Sequence, residues 1–234
     1  MNPDDRRGGT GPAHRLSIFD MDRTITRSGT YAKWLRHWMR AAAPARAALV
    51  PLTAVTGAGF LVGLYGRGRL KQLNHRLLMG GRVGAADVER EAERFAAILD
   101  ADQVYSDARR RIAAEHAEGR RVIWATASYD FYVRPLATRL GVDEIVATAA
   151  QRAPGCVLAR LDGENCYGAA KLRKIEAYLA AQGIDRTQAH IRFFSDHHSD
   201  EPVFAWADEA YAVNPKPPMR ALAAKRDWPI LVWD

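Results

Sequence analysis

The chain has 234 residues, of which 48% are hydrophobic, and it carries a formal net charge of +7. This length suits one large domain, or a core with a smaller attached domain. The two cysteines, Cys156 and Cys166, are too few for a disulfide framework or a cysteine zinc site. Their scarcity favours a reduced, cytoplasmic protein.

The positive charge is concentrated in the first third of the chain. Residues 1–86 contain 14 Lys and Arg residues but only 4 Asp and Glu residues. Such a segment is typical either of a solvated basic face or of a protein with an anionic partner: a phosphorylated molecule, a lipid surface or a nucleic acid. No recognisable nucleic-acid motif accompanies the charge, so we expect no nucleic-acid partner.

The chain begins with a polar stretch and then a buried strand. Residues 1–14 are rich in Gly and Pro and are followed by no long apolar run, which predicts a disordered tail and not a signal peptide. A first strand is predicted at Leu16–Asp20. It ends in the stretch DMDRTIT, so that Asp20, Asp22 and Thr24 alternate directly after the strand.

Four further apolar runs predict buried strands, with helical patterns between the later ones. They are Val122–Thr126, Glu144–Thr148, Ile191–Ser195 and Ala210–Val213. Strands that alternate with helices predict an α/β fold, a doubly wound parallel sheet covered on both faces. Ligands of such sheets bind beyond the carboxyl ends of the strands, where Asp20, Thr126 and Asp196 would meet.

About a hundred residues separate the first two predicted strands, too many for one crossover helix. Helical patterns such as YAKWLRHWMRAAA occur within them. We therefore predict a helical cap at residues 28–115, inserted into a core made of residues 15–27 and 116–234.

Residues 47–66 within the predicted cap contain no charged residue. Twenty such residues are long enough to span a membrane, but Pro51 and the glycines weaken the helix. Three interpretations stay open at this point: a packed cap helix or hairpin, a segment that dips into a membrane, and a true span. The second would place a peripheral membrane contact at residues 47–71, on the inner face of the membrane.

The polar residues at the strand ends form a set suited to phosphate-ester chemistry. Besides Asp20 and Asp22, the set contains Thr126, Lys171, Asp196 and Asp200. A carboxylate can attack phosphorus and become an aspartyl-phosphate, and a second carboxylate can protonate the leaving oxygen. Mg²⁺ binds hard oxygen ligands, while a hydroxyl and a lysine stabilise the charged transition state.

These motifs, in this order, resemble the haloacid dehalogenase superfamily, in the phosphoserine-phosphatase-like branch with a helical cap between the first two motifs. The resemblance covers Leu16 to Trp233 and implies a Rossmann-like core with Mg²⁺ as the cofactor. It implies that Asp20 is the nucleophile and a magnesium ligand, and that Asp22 is the general acid and base with its main-chain carbonyl on the metal. The remaining implied roles are phosphoryl binding by Thr126, charge neutralisation by Lys171, metal ligation by Asp196 and orientation of the site by Asp200. Ser128, two residues after Thr126, is an alternative for the phosphoryl-binding hydroxyl.

The expected function is therefore magnesium-dependent hydrolysis of a small or head-group phosphate ester through an aspartyl-phosphate. Phosphoserine itself is disfavoured, because Gly29 and Thr30 stand where that branch has a glutamate for the substrate ammonium, and no acidic residue lies between Asp22 and Asp87. One alternative is a membrane-associated lipid phosphate phosphatase, resembling phosphatidylglycerophosphatases. A second is a non-catalytic module that binds anions or nucleic acids. The sequence does not indicate the oligomeric state.

Overall fold

The structure is a computed structural model, and it describes residues 12–234. Residues 1–11 of the predicted tail lie outside the described residues, and the first strand begins at His14. The helices and strands are, in chain order, β1 His14–Phe19, α1 Tyr31–Ala41, α2 Leu52–Leu61, α3 Arg67–Leu78, β2 Arg82–Gly84, α4 Ala85–Asp102, α5 Ser106–Ala117, β3 Arg121–Tyr129, α6 Asp130–Arg139, β4 Glu144–Ala153, β5 Cys156–Asp162, α7 Ala169–Ala181, β6 Ala189–Ser195, α8 Glu201–Trp206, β7 Glu209–Val213, α9 Pro217–Lys225 and β8 Ile230–Leu231.

The strands form one sheet in the order β2-β5-β4-β3-β1-β6-β7-β8. The six strands from β4 to β8 in this order are mutually parallel, whereas β5 and β2 are antiparallel additions at one edge. The predicted α/β fold with a doubly wound parallel sheet is confirmed, and all five predicted strands are present. The sequence-based prediction missed β2, β5 and β8, although Gly155, with φ of 67°, marks the turn between β4 and β5.

Side chains of the central strands alternate between two apolar layers. Leu16 and Ile18 of β1 belong to one buried cluster, and Phe19 belongs to the other. The same alternation places Ile123 and Trp124 of β3 on opposite faces. Helices cover both faces, so the polar groups that follow these strands are held at a rigid edge of the sheet.

The inserted helices are joined to the core by aromatic packing. Trp34 of α1 is fully buried and stacks on Tyr132 of α6, with 5.3 Å between the ring centroids. Farther along the insertion, α5 packs against β3, and its Glu115 accepts a hydrogen bond from Ser17 of β1. The boundary of the cap at residue 115 stays a prediction, but α5 lies on the sheet and not over the strand ends.

Residues 47–66 form the end of a short 3₁₀ turn, Pro44–Leu49, and the helix α2. The helix rests on α3, yet neither the turn nor α2 has a buried residue. Of the three interpretations, the packed helix is the one that matches the secondary structure. However, the expected burial of that helix is not found. None of the described helices has the length and apolarity that a membrane span requires.

Candidate active site

The carboxyl ends of β1, β3 and β6 open into a cleft of about 350 Å³ between the sheet and the inserted helices. Such a volume lies in the range of small-molecule sites, at the edge where open α/β sheets bind ligands. Five of the predicted site residues line this cleft: Asp20, Asp22, Lys171, Asp196 and Asp200.

A buried lysine joins two of the carboxylates. The Nζ of Lys171 donates hydrogen bonds to Asp20 Oδ1 at 2.8 Å and to Asp200 Oδ2 at 2.6 Å. Lys171 lies in the first turn of α7, after Gly168, whose φ of 59° sets the direction of entry into the helix. Asp20 is 7% exposed and therefore keeps some access to the cleft.

Asp22 is held by a separate set of donors. Its Oδ1 accepts the main-chain N–H of Thr30 at 2.7 Å, and its Oδ2 accepts the hydroxyl of Ser128 at 2.8 Å. The intervening Met21 is fully buried in the core, so the alternation of side chains along the chain sends both aspartates to the cleft. Asp20 is thus paired with a lysine, whereas Asp22 is held by a main-chain N–H and a hydroxyl. Carboxylates in such different environments can perform different chemical tasks.

The two candidate hydroxyls on β3 occupy different depths. Thr126 is fully buried and does not line the cleft; its Oγ1 accepts the main-chain N–H of Ser128 at 3.1 Å. Ser128 lines the cleft and bonds Asp22. The structure thus does not bring Thr126 to the cleft with the other predicted residues, because a register shift in β3 between Thr126 and Tyr129 turns Ser128 toward it instead.

Asp196 is tied to the first motif through the backbone. Its N–H donates to Thr24 Oγ1 at 3.0 Å, which links the end of β6 to the turn after β1. Asp200 is oriented by Ser195, whose hydroxyl donates to Asp200 Oδ2 at 2.7 Å. The other oxygen of Asp200 is buried without a hydrogen-bond partner among the described residues.

Burial and mutual repulsion act on the charges of this cluster. Burial, together with the nearby Asp200, raises the pKa of Asp196 to about 7. Burial also raises the pKa of Asp20, and the Lys171 ammonium opposes that rise. For Lys171, burial favours the neutral amine, but the Asp20 and Asp200 carboxylates outweigh it and raise its pKa. Three carboxylates around one ammonium leave excess negative charge, which a further cation would offset.

The donor set fits a hard divalent cation such as Mg²⁺. Asp20 and Asp196 offer carboxylate oxygens, the main chain of Asp22 offers a carbonyl, and Asp200 has an unpartnered buried oxygen nearby. Within residues 12–234, no three His, Cys, Asp or Glu side chains converge closely enough to hold a metal ion by themselves. A cation here would therefore need main-chain oxygen, water or substrate oxygen as well, which is how Mg²⁺ is usually bound.

The inserted helices contribute a cationic wall to the cleft. Lys71 of α3 is 8% exposed, and its Nζ donates to Asn165 Oδ1 at 2.8 Å and to the carbonyl of Ala127. Burial lowers the pKa of Lys71 to about 8. Arg67, one helical turn earlier, lies over the ring of Tyr167 at 4.7 Å from its centroid. The sequence analysis missed Lys71 and Asn165, since neither stands in a recognisable motif.

Comparisons with known proteins identify the family of the chain. Residues 18–205 match the family of haloacid dehalogenase-like hydrolases. The chain is 28% identical over 131 residues to a phosphoserine phosphatase of Mycobacterium tuberculosis, which covers 56% of this chain and 42% of that protein. The chain spans less than half the length of the first curated relatives that it matches.

Two solved structures illustrate the similarity in fold. A protein of unknown function from Bordetella pertussis Tohama I has a TM-score of 0.83 at 22% identity and covers 93% of this chain and 98% of its own. A phospho-aspartyl intermediate analogue of phosphoserine phosphatase has a TM-score of 0.60 at 18% identity, with coverages of 94% and 93%. At these identities the likeness concerns the fold alone.

Proposed function

Because the chain belongs to the haloacid dehalogenase-like hydrolases, we propose that it is a magnesium-dependent phosphomonoesterase that works through an aspartyl-phosphate on Asp20. The observation that carries the proposal is the separation of two carboxylates in one cleft. Asp20 is paired with Lys171 at 2.8 Å, while Asp22 is held by Thr30 and Ser128. One group can attack while the other transfers a proton.

The proposed reaction has two steps. A carboxylate oxygen of Asp20 attacks phosphorus, the bond from phosphorus to the ester oxygen breaks, and the carboxyl of Asp22 gives its proton to the leaving oxygen. Water then attacks the phosphorus of the aspartyl-phosphate, Asp22 takes a proton from that water, and inorganic phosphate and free Asp20 are released. Lys171 keeps Asp20 ionised and oriented through both steps.

Mg²⁺, held by Asp20, Asp196 and the carbonyl of Asp22, would supply charge neutralisation at the phosphate oxygens. Asp200 would hold Lys171 in place without contacting the substrate, as its 2.6 Å hydrogen bond to Lys171 suggests. Phosphoryl binding is assigned to Ser128 in preference to Thr126, because Ser128 lines the cleft.

The proposed substrate has a neutral or anionic leaving group. Arg67 and Lys71 line the cap side of the cleft, and no acidic residue lies between Asp22 and Asp87. A substrate ammonium would find no counter-charge there, whereas a hydroxyl, a carboxylate or a second phosphate would find donors. The non-catalytic alternative is not proposed, since the chain belongs to a hydrolase family and its acidic and lysine motif residues meet in one cleft.

Hydrolysis of p-nitrophenyl phosphate at saturating Mg²⁺ tests the reaction. Asp20→Asn removes the nucleophile and should abolish turnover, while Asp185→Asn, an exposed turn residue outside the cleft, should leave it unchanged. Full turnover by the Asp20→Asn enzyme would overturn the proposal. Acid quenching of the native enzyme with a ³²P-labelled ester should trap label on Asp20 and not in the variant.

The leaving-group preference has its own test. Gly29 lines the cleft, and a Cβ at this position would meet no atom within 4 Å, so a larger side chain can be accommodated. Gly29→Glu should raise the kcat/KM for phosphoserine relative to that for glycerol phosphate, because it supplies a carboxylate for the ammonium. Gly29→Gln, equal in size but neutral, is the matched control; an equal effect of both variants would contradict the charge argument.

A further inference from the structure

The helix α2 exposes its aliphatic side chains and turns its two threonines inward. Thr53, Thr56, Gly57 and Phe60 are half-buried, at the spacing of one helix face. The hydroxyl of Thr56 on this face bonds Asn74 of α3 at 2.7 Å. The opposite face consists of Pro51, alanines and aliphatic residues. A helix on the surface of a water-soluble protein normally shows the reverse arrangement.

Most of the exposed large hydrophobic side chains belong to this segment. Leu61, Val62 and Leu64 are 82%, 73% and 75% exposed, and Val55 is 68% exposed. We define the apolar patch as Val50, Leu52, Val55, Leu61, Val62 and Leu64. Only three other large hydrophobic residues of the described chain are comparably exposed: Ile98, Ile230 and Val232. Contiguous exposed apolar surface of this kind marks an interaction site.

Basic side chains accompany the apolar patch. Arg67, Arg69 and Arg76 of the adjoining α3 are exposed, and none forms an ion pair with a carboxylate in residues 12–234. Residues 23–86 contain 11 Lys and Arg residues and no Asp or Glu. Aliphatic residues flanked by unopposed cations match the surface of an anionic bilayer, where acyl chains lie beneath negative head groups.

From this geometry we infer that the apolar patch docks the protein on an anionic phospholipid bilayer. A second copy of the chain is a poorer occupant, because a two-fold interface would bring these unopposed basic segments against each other. The patch also has no Trp or Tyr, the side chains that typically anchor a protein interface. The inference does not depend on the proposed reaction.

Arg67 connects the helix α2 with the cleft. Arg67 lines the cleft and lies over Phe60 of α2 on one side, at 5.6 Å from the ring centroid, and over Tyr167 on the other. The helix α2, which carries part of the patch, is therefore a neighbour of the cleft, with Arg67 between them.

Flotation of the full chain with vesicles tests this inference without any phosphatase assay. We expect binding to vesicles of phosphatidylglycerol and phosphatidylcholine to exceed binding to pure phosphatidylcholine at least tenfold, and to weaken with salt. The triple variant Leu61→Ser, Val62→Ser, Leu64→Ser should lose at least tenfold in binding. Its matched control is the triple variant Ile98→Ser, Ile230→Ser, Val232→Ser, which changes exposed aliphatic residues elsewhere and should bind normally.

Further measurements separate docking from misfolding and from self-association. The Leu61, Val62 and Leu64 variant should keep the native thermal unfolding midpoint and native turnover of soluble p-nitrophenyl phosphate. Arg69→Gln with Arg76→Gln should reduce the salt dependence of binding. Absence of native binding to anionic vesicles at low salt, or equal binding by the apolar-patch variant, would overturn the inference. So would a stable dimer in sedimentation velocity that the same variant dissociates.

Discussion

The hydroxyl of Ser128 donates a 2.8 Å hydrogen bond to Oδ2 of Asp22, across 106 positions of sequence. Asp22 accepts a second hydrogen bond from the backbone, so that both of its carboxylate oxygens are fixed. A proton-transfer group works only when it is held within reach of the atom that it protonates. The β3 strand therefore contributes to the position of Asp22 as much as the turn that contains it.

Ser128→Ala should lower kcat for p-nitrophenyl phosphate by about one to two orders of magnitude, since the loss of a hydrogen bond to a charged group costs about 1.5–3 kcal/mol. Thr126→Ser, which keeps the acceptor for the Ser128 N–H, is the control and should retain native kcat. Native kcat in the Ser128→Ala enzyme would refute the positioning of Asp22 by this residue.

Thr126→Val separates a structural role from phosphoryl binding. It leaves the buried N–H of Ser128 without an acceptor, so we expect the free energy of unfolding to fall by about 1–3 kcal/mol. Urea denaturation measures this change. If Thr126→Val lowered kcat more than Ser128→Ala does, with an unchanged free energy of unfolding, then Thr126 and not Ser128 would be the phosphoryl-binding residue.

Lys171→Met should abolish turnover and also destabilise the fold, by about 3–5 kcal/mol at neutral pH, because Asp20 and Asp200 then lack their cation in a buried site. Without the ammonium, which lowers the pKa of Asp20, that pKa rises further above its unfolded value. The deficit is therefore largest at high pH, where Asp20 is ionised, and shrinks as falling pH protonates it. Chemical denaturation across pH 5–8 without added metal measures it; Lys174→Met, one turn later on α7, is the control. A deficit that grows as pH falls would contradict this account.

Lys71 should confer a pH dependence on substrate binding. Its pKa of about 8 means that it is charged at pH 7 and mostly neutral at pH 9. We expect the KM for phosphoglycolate, whose leaving group is anionic, to rise as pH increases through 8, and the KM for glycerol phosphate to change less. Lys71→Met should raise the former KM about tenfold at pH 7 and flatten its pH profile. Lys225→Met, an exposed lysine, serves as the control; an unchanged profile in the Lys71 variant would exclude this role.

Glu115 should contribute stability and not catalysis. It is fully buried beside Arg120, at 3.1 Å, and Arg192, at 3.1 Å. Glu115→Gln leaves the buried guanidinium of Arg120 without a carboxylate counter-charge and should cost about 3–5 kcal/mol of unfolding free energy, with KM unchanged. Glu118→Gln removes a half-exposed partner of Arg192 and should cost less than about 1 kcal/mol. Guanidinium denaturation measures both changes. Equal decreases in the free energy of unfolding for Glu115→Gln and Glu118→Gln would contradict the argument that burial makes Glu115 the more important residue.

Much of the site follows from short stretches of sequence. Five of the six parallel strands were predicted because each is a run of apolar residues. The alternation Asp20–Met21–Asp22 determines that the two aspartates share a side. Both are properties of consecutive residues, which the period of an extended chain suffices to determine. The order of the motifs along the chain similarly led to the correct family.

Other features depend on contacts between distant residues, and only the tertiary structure decided them. Thr126 and Ser128 differ in access because β3 shifts register against β4, and Lys71 reaches the cleft because α3 packs beside Asn165, 94 positions away. The exposure of α2 was likewise decided by the tertiary structure. Its sequence has no charged residue and only two threonines, so nothing local indicates that the face with the threonines meets α3. Whether a side chain is buried depends on the other segments that pack against it, so the sequence of one segment cannot determine it.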